Sequence, residues 1–271
     1  MEAVSVRTPV RHSMVMDFSA CRGVAQGPVF IIASGASAKS FPLQRFADIP
    51  MITLNGAISM FLENNISPCF YACTDRDFKL QQPDLYAHAL RLSRRLAIWP
   101  DQIDTLPVPT DAEIYPLIKA TRSSLFESAF NPNHELVRSR AFWDYRSRSL
   151  GFSKDLSQGY FDARTVVYLA LQIAYHMGFN QVFLVGVDLN QSAGRFYETA
   201  GRVVSPCGLE DAYERRILPA LKLMADRVVD ERFAVYNLSS TSRIPESVIP
   251  NVSFDQAETM ISRAPHSSIS R

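Results

Sequence analysis

The sequence predicts an α/β protein, a Rossmann-like parallel sheet with helices on both faces and a lid-like insertion. Short unbroken apolar runs, such as residues 28–33 and 181–185, are rich in β-branched and aromatic side chains, as strands buried on both faces are. Stretches of helical spacing alternate with these runs, the order a parallel sheet requires because each crossover needs a helix. Several runs end in small or polar residues, and ligands of open parallel sheets bind beyond the carboxyl ends of the strands.

Residues 1–26 show no clear period and read as a loose N-terminal arm with one short strand. Residues 28–33 are the first core strand, closed by the small-residue turn Ser34-Gly35-Ala36-Ser37. Residues 51–54 are the second, followed after Asn55 and Gly56 by a helix over 57–64. Residues 69–73 form the third, ending at Thr74 and Asp75, and 96–99 the fourth. Between about residues 101 and 150, Pro107, Pro109, Pro116 and Pro132 break up any period, which reads as an inserted lid of short helices. Residues 162–177 are apolar nearly all round, a central helix stopped by Gly178, the residue type a C-cap favours. Residues 181–185 make a strand that runs into Gly186 and Asp188. Residues 209–229 read as an amphipathic helix kinked at Pro219, and 233–236 as the last strand. One Rossmann-like unit thus spans 27–260, with a flexible tail over 261–271.

With 271 residues, 47% hydrophobic and 20% charged, the chain can bury a sizeable core and lies outside the range of disordered sequences. Twenty-eight basic residues against 27 acidic leave a net charge of +1. No general field draws in nucleic acid, so any anion site must be local. The richest apolar stretch, residues 166–177, contains Gln172 and His176 and is too short to span a bilayer. The first residues alternate through Arg7, Arg11 and Asp17 and do not form a signal peptide. The expectation is a cytoplasmic protein. Cys21, Cys69, Cys73 and Cys207 read as reduced and mainly buried, and the five histidines are scattered. Neither type gives metal-ligand spacing, so no metal is expected.

The candidate site collects the polar strand ends. The turn Ser34-Gly35-Ala36-Ser37 lets the backbone approach a phosphate closely, with the next helix start adding N–H groups; an ordinary strand-to-helix turn reads the same way. Asn55 and Asp75 can hold a nucleoside edge or simply form turns and caps. Asp188 can meet a ligand hydroxyl, act as a base, or brace the following loop. That loop, 190–208, carries Arg195, Tyr197 and Glu198 between Gly194 and Gly201 and is long enough to close over a substrate. His176, on the apolar helix, reads as a satisfied core histidine; His134, in the insertion, is a reserve base. The arginines and aromatics of 138–148 suit a phosphorylated acceptor or a membrane surface, or else a solvated linker.

Four segments carry a family resemblance: Phe-Ile-Ile-Ala-Ser-Gly-Ala-Ser-Ala-Lys over 30–39, Ile-Thr-Leu-Asn-Gly-Ala-Ile over 52–58, Gly-Phe-Ser-Lys-Asp-Leu-Ser-Gln-Gly-Tyr-Phe-Asp-Ala-Arg-Thr over 151–165, and Val-Gly-Val-Asp-Leu-Asn over 185–190. With Arg195-Phe196-Tyr197-Glu198 and Ser205-Pro206-Cys207-Gly208, they resemble the lipopolysaccharide core biosynthesis proteins that add an extra Kdo (3-deoxy-D-manno-octulosonic acid) to the inner core. More distantly the frame is similar to bacterial CMP-sialic-acid-dependent sialyltransferases with a Rossmann-like fold. Their Gly-Pro-Ser turn corresponds to Gly35-Ala36-Ser37 here, without the proline. Asn55 matches a nucleotide-contacting asparagine, Asp75 stands where a second one would be, Thr165 falls near a nucleotide-contacting serine, and Tyr197 near a tyrosine that stabilises the leaving phosphate. The catalytic histidine of those enzymes has no counterpart between Glu198 and Asp211.

The resemblance implies a glycosyltransferase using CMP-Kdo as donor, with no cofactor and no metal, and an inner-core acceptor. Because that acceptor is membrane-anchored, it also implies peripheral contact with the inner membrane's cytoplasmic face. Nucleotide binding then falls to Ser34, Gly35, Ala36, Ser37, Asn55, Asp75 and Thr165. Catalysis falls to Asp188, Glu198 and Tyr197, with His134 in reserve, and the Kdo carboxylate pairs with Arg164 or Arg195. Two other readings stand beside it. One is a magnesium-dependent pyrophosphokinase-like enzyme using Asp75, Asp77 and Asp188. The other is a non-catalytic binder of nucleotide-sugar or core oligosaccharide that regulates a transferase. No feature of the sequence sets an oligomeric state.

Overall fold

The computed structural model describes residues 14–121, 133–139, 149–190, 195–197, 209–263 and 268–269. Eight strands form one sheet: β1 (Met14–Val15), β3 (Pro28–Ile32), β4 (Met51–Leu54), β5 (Phe70–Ala72), β6 (Arg95–Ile98), β7 (Glu113–Pro116), β10 (Gln181–Val185) and β11 (Ala234–Asn237). Their order is β1-β7-β6-β5-β4-β3-β10-β11, and every neighbouring pair is parallel. Two short pairs lie outside it: β2 (Ala25–Gln26) with β12 (Ser268–Ile269), and β8 (Leu136–Arg138) with β9 (Gly151–Ser153), both antiparallel. The fold class is the α/β one expected.

Both faces of the sheet are covered, which is why its strands are apolar without alternation. In β3, Val29 and Ile31 enter a core that includes helix α2 (Val166–Met177) and helix α3 (Leu218–Arg227). Phe30 and Ile32 enter the opposite core with α1 (Pro83–Leu92) and Ala257 of α4 (Phe254–Arg263). Phe30 is fully buried among the rings of Phe41, Phe46 and Phe183, with centroids 5.1, 4.9 and 5.4 Å away. Burying such a side chain contributes about 1.5–3 kcal/mol, and each ring pair adds about 0.5–1.5 kcal/mol.

Several expectations are corrected. The region expected to be a lid of short helices supplies β7 to the main sheet and β8, which pairs with β9 just beyond it. The arm is not loose from Met14 on: β1 pairs with β7, Phe18 and Cys21 are buried, and β2 pairs with β12. The helix expected over 57–64 is a 3-10 helix, Asn55–Phe61. The expected kink at Pro219 is instead a widened turn at Tyr213–Ile217, where the Leu218 N–H reaches back to the Tyr213 carbonyl, and the helix runs on unbroken through Pro219 into α3. The tail begins as helix, since α4 runs to Arg263. Gly178 caps α2 at φ 102° as expected. Among the described residues, no helix is long and apolar enough to cross a membrane.

The chain lays down β3 to β7 in one direction across the sheet, then returns to place β10 against the free side of β3. The sheet's switch point is therefore between β3 and β10. At its opposite, amino-terminal edge, the last turn of α2 carries His176, which is 2% exposed. His176 Nδ1 accepts the Leu156 N–H at 3.1 Å, so Nε2 carries the hydrogen toward the Phe18 carbonyl at 2.7 Å. Burial holds the imidazole below its ordinary pKa. Nearby, burial raises Asp155, but hydrogen bonds from Ser157 and Gln158 and the Arg22 charge outweigh it and leave it lowered. Below about pH 6.5 the unfolded chain binds a proton at His176 that the folded chain resists, so folding stability falls as pH drops. We expect the melting temperature to decline from pH 7.5 to 5.5 in calorimetry, and H176Q to flatten that decline; an unchanged slope would refute the assignment.

Candidate active site

Asp188 is the centre of the switch point. It is 3% exposed. Its carboxylate accepts the Ser37 N–H at 3.0 Å and the hydroxyls of Ser37 and Ser239. Its own carbonyl accepts the Arg243 N–H at 3.0 Å. Three donors at one buried carboxylate meet the solvation that burial removes. They also tie the end of β10 to the turn after β3 and to the residues after β11. Gly35 is required there, because a Cβ would lie 2.6 Å from Asp188 Oδ2. The turn does not open an α-helix: it runs into a short 3-10 helix, Ala36–Ser40, and the Ser37 N–H is spent on Asp188.

The described part of the 190–208 loop, residues 195–197, docks on this turn. Arg195 forms an antiparallel bridge with Gly35, and the Phe196 N–H donates to the Ser34 carbonyl at 3.1 Å. Tyr197 then lies against Gly56, where any Cβ would overlap its ring. Arg195 Nη1 donates to the Tyr197 hydroxyl at 3.0 Å. Asn55 sits beside this contact at φ 44°, a backbone shape asparagine tolerates better than most residues. Its Oδ1 is buried with no hydrogen-bond partner among the described atoms. Arg164 and Leu189 also have positive φ, 63° and 51°. All three strained residues lie at the carboxyl edge of the sheet, and such strain clusters at working sites.

The structure therefore brings Ser34, Gly35, Ala36, Ser37, Asn55, Asp188, Arg195 and Tyr197 to neighbouring strand ends. Asp75 ends β5, two strands from β3. Its Oδ1 accepts the Asp77 N–H at 3.0 Å, a turn-forming role. Thr165 caps α2, its hydroxyl accepting the Val167 N–H at 3.4 Å. Exposed Arg164 precedes it. The reserve base His134 is not among the residues brought together here. Its neighbour Glu135 pairs with Arg22, which also pairs with Asp155 beside His176. That is the far end of the 12-residue helix α2 from Thr165, about 18 Å at 1.5 Å per residue. The magnesium arrangement is not assembled either: Asp188 and Asp75 follow strands three places apart, about 14 Å at the usual spacing. Among the described residues, no three His, Cys, Asp or Glu side chains form a metal cluster. Glu198 lies outside the described residues, as does all of 138–148 but Arg138 and Ser139. Burial pushes the Cys21, Cys69 and Cys73 thiols up to about 12, so none is a nucleophile. Ser239, in the polar strand end 237–239 that the sequence places at this edge with Asp188, is now seen to donate to Asp188, a bond that the sequence did not show.

Residues 129–255 match the family model described as 3-deoxy-D-manno-octulosonic acid transferase WaaZ. The chain is similar to Kdo transferases. A probable 3-deoxy-manno-octulosonic acid transferase of Salmonella typhimurium is 26% identical over 263 residues, covering 93% of this chain and 96% of that protein. The Escherichia coli protein of the same description is 28% identical, covering 82% and 81%. Two solved structures are more distant. The MAf glycosyltransferase of Magnetospirillum magneticum covers 87% of this chain and 36% of its own, at 16% identity and TM-score 0.47. The Campylobacter jejuni sialyltransferase CstII, solved with cytidine-5'-monophosphate, covers 90% of both chains at 11% identity and TM-score 0.46. The resemblance read from the sequence is thus the one the comparisons return, and the glycosyltransferase reading is supported by the family model and both Kdo-transferase relatives.

Proposed function

We propose that the protein is a glycosyltransferase that moves Kdo from CMP-Kdo to an acceptor in the inner core of lipopolysaccharide. The observation that carries this is Tyr197 held on Gly56, next to Asn55, whose buried Oδ1 has no hydrogen-bond partner among the described atoms, in a chain similar to Kdo transferases. In this reading the cytidine monophosphate group lies along the carboxyl ends of β3 and β4, with Asn55 meeting the nucleoside. Loss of CMP from the anomeric carbon leaves oxocarbenium character on the sugar and negative charge on the departing phosphate. The Tyr197 hydroxyl, with Arg195 behind it, donates to that charge as it develops. Arg195 or Arg164 pairs with the Kdo carboxylate. Asp188 holds the turn in shape, and Glu198, next to Tyr197, removes the acceptor proton.

Incubating the protein with CMP-Kdo and an inner-core acceptor tests the reading. Release of CMP together with the mass gain of one Kdo supports it. CMP-Kdo binding without turnover supports the regulator instead, and neither binding nor turnover refutes both. In the same assay E198Q should lower kcat by about 10²-fold with unchanged CMP affinity; a fully active variant removes Glu198 as the base. Peripheral membrane contact is part of the proposal, because the acceptor is lipid-anchored.

A further inference from the structure

A second cluster of chemistry lies along the same edge of the sheet, beyond β5, β6 and β7, and the mechanism above does not use it. Trp99 follows β6, and its indole N–H donates to the Thr74 carbonyl at 2.9 Å. The Arg76 guanidinium carbon stands 4.4 Å from the Trp99 ring centroid and Lys119 Nζ stands 5.6 Å from it. The Tyr160 ring is 6.3 Å away. Tyr160 is fixed beside Lys119 by a parallel bridge, its N–H donating to the Ile118 carbonyl at 2.9 Å. Four separate segments thus place two cations and two aromatic rings together.

Two features indicate that the cluster receives a ligand. Tyr160 is 3% exposed, yet its buried hydroxyl has no hydrogen-bond partner among the described atoms. Leaving a buried donor unmet costs about 1–3 kcal/mol, which an acceptor oxygen would relieve. The cations, in turn, are held loosely. Arg76 pairs with Asp101 and Lys119 with Asp162, but both cation side chains are 53% exposed. Exposed pairs of this kind contribute about 0–1 kcal/mol, so an incoming anion can recruit both. The Arg216 guanidinium, donating to the Asp162 carbonyl at 2.8 Å and to Ser149, adds a third positive charge.

We propose that Arg76, Lys119, Trp99 and Tyr160 form the acceptor subsite and that it takes an anionic sugar. Arg76 and Lys119 meet its carboxylate or phosphate, and Tyr160 donates its hydroxyl hydrogen to the same group. The cluster lies two to four strands from β3, about 10–19 Å at the usual spacing, room for one sugar unit between it and the phosphate turn. The assignment to an acceptor rests on the Kdo-transfer reading.

The test uses the full chain and two readouts. In the transfer assay, R76A/K119A should raise the acceptor KM about tenfold or more, and Y160F about threefold, while CMP affinity and acceptor-independent CMP-Kdo hydrolysis stay unchanged. An unchanged acceptor KM in folded R76A/K119A overturns the proposal, as does an equal loss of CMP affinity. Independently, saturation-transfer NMR follows a free sugar acid, a sugar phosphate and a neutral sugar on the wild type and on R76A/K119A. Binding of either anion that the double variant loses supports the subsite, and the anion that binds names the group. No anion binding, or equal binding of the neutral sugar, overturns it. Wild type that releases no CMP and binds none refutes the transfer reading instead, and the NMR result still decides the subsite.

Discussion

Replacing Tyr197 by Phe should lower turnover by about 10²-fold and leave the fold and the CMP affinity nearly unchanged. The ring is held by packing on Gly56, which the substitution keeps. Only the hydroxyl is lost, together with its bond from Arg195. A donor aimed at charge that appears in the transition state acts on kcat, and removing one such donor costs about 10²–10³. G56A is the independent check. Its methyl group cannot coexist with the Tyr197 ring, so it should reproduce the loss without touching the hydroxyl. Steady-state kinetics with CMP-Kdo, alongside calorimetric melting, separates these effects from unfolding. Activity of Y197F within twofold of wild type would take Tyr197 out of the reaction.

Replacing Asp188 by Ala should do more damage to the molecule itself. Three donors from Ser37 and Ser239 then face an empty buried volume. The two hydroxyls can rotate to other acceptors, but the Ser37 N–H cannot. We expect a loss of about 3 kcal/mol, a drop of about 6–10 °C in melting temperature, and loss of nucleotide binding as the turn comes away from β10. Asp188→Asn discriminates between the roles. As a brace, the amide keeps one accepting oxygen, so binding and stability fall together and in part. As a catalytic base, Asp188 would give an Asn variant with full stability and binding but no turnover, and that result would overturn the brace.

How much of this was legible beforehand follows from where each signal resides. The central strands β3, β4, β5 and β10 announce themselves because burial on both faces demands unbroken apolar runs. β7 does not: only Ile114 and Tyr115 are buried in it and a proline ends it, so it resembles the proline-interrupted region around it. α4 is silent for a related reason. Its only fully buried residue is Ala257, and its anchors include Arg45 pairing with Asp255 and Glu258 across more than 200 residues. Asp188 and the Ser34–Ser37 turn could be picked out because both follow core strands. Their bond to each other could not, since it depends on β10 returning beside β3. The Arg76, Lys119, Trp99 and Tyr160 cluster is harder still. Its members are ordinary residues in four segments, and only the register of β5 to β7 brings them together.

The return of β10 has a consequence for biosynthesis. β3 ends at Ile32, but its second neighbour begins at Gln181. At about 5–20 residues per second on the ribosome, the most apolar strand waits roughly 7–30 s with one flank unclosed. Such a flank is a template for aberrant association. Nascent chains arrested before Gln181 should accordingly engage chaperones that those arrested beyond the last strand release, which ribosome pull-downs can measure.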